Sequence, residues 1–152
     1  MNYEVVYLKE KIVAGFTIRT NNNNSNMKED IGRTWKKFFV GNVYESILNK
    51  QNNNSIGLYT NYEDKVNGDY DMMVCCEISK EENLINEIDV KKISEGKYAK
   101  FEVKGNVQKV VAEFWNKLWS MDMDRKYSFD FEEYKGDCEM DNAEINIYIS
   151  IN

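Results

Sequence analysis

Residues 127–134, YSFDFEEY, interleave rings with carboxylates: Tyr127, Phe129, Phe131 and Tyr134 alternate with Asp130, Glu132 and Glu133. A solvated strand accommodates this pattern, and so does a pocket built for something flat and positively charged. A carboxylate among rings suits an organic cation. Coulomb attraction at about 4 Å is worth roughly 4 kcal/mol at an effective dielectric near 20, and each ring face adds about 0.5–2 kcal/mol by cation–π contact. The same surroundings raise the acid's pKa, which makes it a candidate proton donor or base.

Other chemistries are excluded by what the chain lacks. It has no histidine, so Ser-His-Asp and Cys-His catalysis and His-ligated metals are ruled out. The three cysteines, two of them adjacent as Cys75–Cys76, give neither a disulfide framework nor a Cys-x-x-Cys metal spacing; both read as small buried apolar residues. No phosphate-binding glycine loop and no dinucleotide fingerprint occurs. No cofactor or metal is therefore expected. Twenty basic against 26 acidic residues, a net charge of −6, and the lack of a basic stripe disfavour direct nucleic-acid binding. No apolar run approaches the 18 or so residues a membrane span needs, and MNYEVVYLKEK is not laid out as a signal peptide. A cytoplasmic location is the expectation.

The elements that must position the acids are written twice. KIVAGFTIRT (11–20) parallels GKYAKFEVKG (96–105), with Ala14, Phe16 and Ile18 matching Ala99, Phe101 and Val103. Each run alternates as a strand does and leads into a helix-period segment. Ile31, Trp35, Phe38 and Phe39 form one apolar stripe; Val107, Val111, Phe114, Leu118 and Trp119 form the other. Asn26 with Glu29, and Asn106, are candidate helix caps. Two strands follow each helix: 56–63 and 70–79 in the first half, 128–135 and 143–151 in the second. The reading is an α+β fold of one domain, 1–152, made of a strand–helix–strand–strand unit used twice. Repeat 1 spans about 3–79 and repeat 2 about 96–151, with the acidic stretch 80–95 as a solvated linker. Each helix covers one face of its strands, and the opposite faces meet about a pseudo-twofold axis at a groove.

Alternation sends Phe129, Phe131 and Glu133 one way and Asp130, Glu132 and Tyr134 the other. With the phenylalanines under the second helix, Glu132 and Tyr134 face the groove. Ile145, Ile147, Ile149 and Ile151 then share the helix-covered face, and Tyr148 looks into the groove beside Glu132. Tyr59 and Tyr62 occupy the corresponding place in the first half. Trp35, Trp115 and Trp119 lie on helical stripes, where core packing is the ordinary role.

VAGFTIRT, IGRTWKKFF, GLYTNYEDKVNGDYDMMVCCEIS, GKYAKFEVKG, WNKLW, YSFDFEEY and INIYISI, in that order and spacing, resemble the GyrI-like effector-binding domains. These also form the ligand-binding halves of AraC- and MerR-type regulators. The resemblance runs over roughly residues 3–151 and implies a curved antiparallel sheet around a central ligand groove. It also implies binding of small hydrophobic, often cationic or aromatic compounds. The family's pocket acid lies in a Glu-x-Tyr motif, which falls here on Glu132 and Tyr134; a competing register would use Glu133. No segment fits a helix-turn-helix, so the chain is most similar to the stand-alone, integron-associated members, without nucleic-acid binding of its own. The expectation is a binding protein for a lipophilic cationic or aromatic molecule, serving transcription regulation or multidrug sensing. Glu132 is its counter-ion, with Tyr134, Tyr148, Trp115, Tyr59 and Tyr62 as the walls. One alternative is a small-molecule hydrolase in which Glu132 acts as acid/base on water beside Tyr134 or Tyr148. The other is an inhibitor acting on a macromolecular protein partner.

Overall fold

A computed structural model describes residues 1–152. Strands β1 (Glu4–Leu8) and β2 (Lys11–Thr20) lead to helix α1 (Met27–Val40) and the single turn α2 (Val43–Ser46). Strands β3 (Ser55–Thr60), β4 (Tyr70–Ile78), β5 (Asp89–Ile93) and β6 (Gly96–Gly105) follow, then helix α3 (Val107–Ser120) and strands β7 (Phe129–Tyr134) and β8 (Ala143–Ser150). All eight strands form one antiparallel, curved, unclosed sheet in the order β1-β6-β8-β7-β3-β4-β2-β5. The fold is α+β, with the curved antiparallel sheet that the resemblance implies. No helix is long and apolar enough to cross a membrane.

Strand order sets the functional geometry. The β3–β7 pair lies at the middle of the sheet, and strands β4–β2 and β8–β6 flank it on either side. Helix α1 packs over β2 and β4, burying Phe38 against Ala14, Phe16, Met72, Val74 and Cys76. Helix α3 packs on the other flank, where Phe114 and Leu118 meet Ala99, Phe101, Ile145, Ile147 and Ile149. The same face of β3 and β7 lies between the two helices. Across the opposite face, Leu58, Phe131 and Tyr148 from central strands share one cluster with Val6, Leu8 and Ile93 from the two edge strands. Only a curled sheet brings its own edges and centre together in this way.

Three expectations are corrected. The groove and the helices are on the same face of the sheet, not on opposite faces: Glu132 pairs in register with Ile147, which packs beneath α3, whereas Phe131 pairs with Tyr148 on the far side. The stretch 80–95 is not merely a solvated linker. Residues 89–93 form β5, which pairs with β2 and buries Ile93 to 1% exposure. Finally, Asn106 caps α3 by accepting from the Lys109 backbone N–H at 3.2 Å, but the Asn26 side chain makes no capping bond to α1.

Candidate functional site

Between α1 and α3 lies a cavity of about 1310 Å³. Each helix contributes the residues of a single stripe. From α1 these are Met27, Ile31, Trp35 and Phe39, and from α3 they are Val107, Val111, Trp115 and Trp119. Each stripe also includes a residue with little or no side chain, Gly32 or Ala112, which keeps the space open. All three tryptophans therefore line the cavity rather than fill the core. The apolar stripe of each helix is broad enough to bury one flank against the sheet and turn the other toward the cavity, so helical periodicity does not separate ring-lined walls from buried anchors.

The floor is the β3–β7 pair. Residues Ser55, Gly57 and Tyr59 lie opposite Tyr134, Glu132 and Asp130. Glu132 is 1% exposed and sits just beneath the lining. Its Oε1 accepts from the Tyr134 hydroxyl at 2.5 Å, and its Oε2 accepts from the Trp115 indole N–H at 2.7 Å and the Tyr59 hydroxyl at 3.2 Å. Burial pushes the carboxyl above its ordinary value, and the three donors pull it part of the way back. Burial and then the Glu132 charge push the Tyr59 and Tyr134 phenols well up, so both remain neutral donors. The rings interlock edge to face, Trp35 on Tyr134 at 5.2 Å and Trp115 on Tyr59 at 5.3 Å.

Gly57 makes this arrangement possible. A Cβ there would stand 3.0 Å from Glu132 Oε1 and 3.3 Å from Trp35 Cζ2. The absent side chain lets the acid and an indole lie over the neighbouring strand. Two residues along β7, Asp130 is fully buried and takes four donors: the Ser150 N–H and hydroxyl, the Tyr62 hydroxyl at 2.6 Å and the Arg125 guanidinium at 2.8 Å.

Of the residues singled out from sequence, Glu132, Tyr134, Trp115 and Tyr59 converge. Tyr62 lines the same cavity at its Asp130 end. Tyr148 does not join them. It stacks on Phe131 at 4.7 Å on the opposite face, where burial and then the charges of Glu133 and Glu102 push its phenol up to about 12. Glu133 pairs with Asn146 and shares that opposite parity, so the competing register fails. Sequence reasoning missed Gly57 and Arg125, read Trp35 as a core residue, and placed Asp130 on the Glu132 side of the strand without giving it a role. The acid–ring alternation of β7 could have pointed to Asp130, whereas Gly57 gives no signal until its strand partner is known.

With this geometry in view, the relatives are informative. The sequence model of the integron-associated effector binding protein family matches residues 4–151, and the chain belongs to that family. It is 30% identical to an integron cassette protein from the mobile metagenome of Vibrio cholerae, whose crystal structure superposes with a TM-score of 0.76 over 97% of this chain and 95% of that one. YobU of Bacillus subtilis (strain 168), by its name a candidate transcriptional regulator protein, is 27% identical over 153 residues, covering 97% of this chain and 96% of YobU. SAV2435, solved bound to tetraphenylphosphonium, shares the fold with a TM-score of 0.78 at 18% identity, over 100% of this chain and 94% of that one.

Proposed function

We propose that this chain is an effector-binding protein that takes an aromatic, cationic small molecule into the cavity between α1 and α3. The single observation carrying the reading is the buried Glu132 carboxylate held by Tyr59, Trp115 and Tyr134 directly below a ring-lined space. These three rings pass the charge upward. A phenol or indole donating to a carboxylate becomes more electron-rich, and its face attracts a cation more strongly. A lipophilic cation above them loses little hydration and gains several ring faces. Micromolar affinity needs only about −8 kcal/mol after binding entropy is counted. The bound tetraphenylphosphonium of SAV2435, an aromatic cation held by the same fold, supports this ligand class. The family description and the name of YobU support a role in sensing or transcription regulation.

Binding is favoured over hydrolysis because both Glu132 oxygens are already engaged and the carboxylate is 1% exposed. A general base must hold the water it activates within hydrogen-bond reach. Tryptophan fluorescence tests the reading, since Trp35, Trp115 and Trp119 all line the cavity. Tetraphenylphosphonium is expected to quench saturably, and neutral triphenylphosphine oxide to bind at least about tenfold more weakly. Equal affinity for the two compounds would remove the charge from the account.

A further inference from the structure

A cavity built for a simple cation should not have a basic wall, yet this one does. The charged residues on its lining are Lys28, Lys36, Lys135, Arg125 and Glu139. The three lysines and Glu139 are exposed at the rim, but the Arg125 side chain is 7% exposed. Arg125 is also incompletely used. Its Nη2 donates to Asp130 at 2.8 Å and its guanidinium lies 4.2 Å over the Tyr127 ring, while its Nε–H is buried with no acceptor. Asp130 cannot supply one, because its two oxygens already take four donors. A rigid fork of five donors anchored through one of them is suited to reading an oxygen acceptor.

We propose that Arg125 forms a second subsite, and that the ligand is amphoteric: an aromatic compound with a cationic group above Glu132 and a carboxylate at the Arg125 end. The inference rests on the cation-binding reading above and adds the ligand's other end. Asp130 and Glu132 lie on one side of β7, about 7 Å apart along the strand, which sets the scale of the separation between the two groups. Tyr62 and Asn22 line the cavity at this end and complete its polar wall.

Calorimetric titration of the whole chain with benzyltrimethylammonium and with its 4-carboxy derivative tests the subsite. The carboxylate compound is expected to bind about tenfold more tightly than its parent, the gain of a charge-assisted hydrogen bond. In Arg125→Met/Asp130→Asn, which removes the buried charges together, the ratio of the two affinities should fall to about one. Arg125→Lys keeps a charge beside Asp130 but lacks the fork, so it gives the same reading in a conservatively altered protein: the ratio should drop at least about threefold. Binding of the parent with no gain from the carboxylate overturns the subsite and leaves the cation site standing. A gain that persists in both variants assigns the carboxylate to the rim lysines and also overturns it. Binding of neither compound sinks the cation reading, and the subsite falls with it.

Discussion

At the scale of single residues, Glu132 and Gly57 form one device. The acid is pushed toward its neutral form by burial and held by three donors that favour the charged form, so its charge is poised rather than fixed. In the ligand-free fold this raised pKa has a cost. The folded chain holds a proton that the unfolded chain releases, so this group withdraws stability as pH rises from the ordinary value of 4.5 through the raised one. A bound cation reverses the preference. Gly57 keeps the space in which this balance is struck. Gly57→Ala is expected to displace Glu132 Oε1 or Trp35, cost about 1–3 kcal/mol of stability by overpacking, and weaken tetraphenylphosphonium binding several-fold. Thermal unfolding and fluorescence titration measure the two effects. An alanine variant with wild-type affinity would show that Glu132 does not depend on the close approach of β3.

At the scale of elements, the helices were legible and the faces were not. Alternating strands and 3.6-residue stripes placed α1 and α3 and most of the strands, because both periodicities are written directly in KIVAGFTIRT, GKYAKFEVKG and the helices after them. The parity of β7 holds, but which of its sides lies under the helices does not follow from it, because both are buried: Phe131 packs into the far cluster while Asp130 and Glu132 are buried beneath the cavity. Polarity alternation marks faces only when one of them meets water. Glu132 and Tyr134 are legible from their spacing, whereas Tyr148 pairs with Phe131 on the far face and is not their neighbour. Strand β5 was hidden because edge pairing to β2 makes few demands on an acidic, charged segment. Helix capping distinguishes the two halves in a testable way. Asn106→Ala removes a bond to the Lys109 N–H and should cost about 1 kcal/mol. Asn26→Ala, with no such bond, should cost a few tenths at most. Chemical denaturation midpoints decide this, and equal losses would mean that the Asn106 bond contributes nothing.

At the scale of the whole molecule, strand order accounts for why a cavity exists at all. With α1 over one flank and α3 over the other, the central β3–β7 pair is left without a helix of its own, and its polar floor is covered only by rings. The leading strand of each half crosses over, β1 pairing with β6 and β5 with β2. We read this mutual exchange, together with the matched helical stripes around Trp35 and Trp115, as support for a single domain with a duplicated origin. The acid breaks that symmetry, since Gly57 stands directly across from Glu132. The cavity therefore carries one poised charge at its centre. The central claim is that this charge draws the ligand, and its most direct test is tetraphenylphosphonium affinity measured against pH in the wild type and in Glu132→Gln. Cation binding requires the carboxylate, so wild-type affinity should fall as pH drops through the raised Glu132 pKa, above 4.5. In Glu132→Gln it should be at least about tenfold weaker at neutral pH and flat across that interval. Wild-type affinity in the glutamine variant, with the pH dependence retained, would contradict the account.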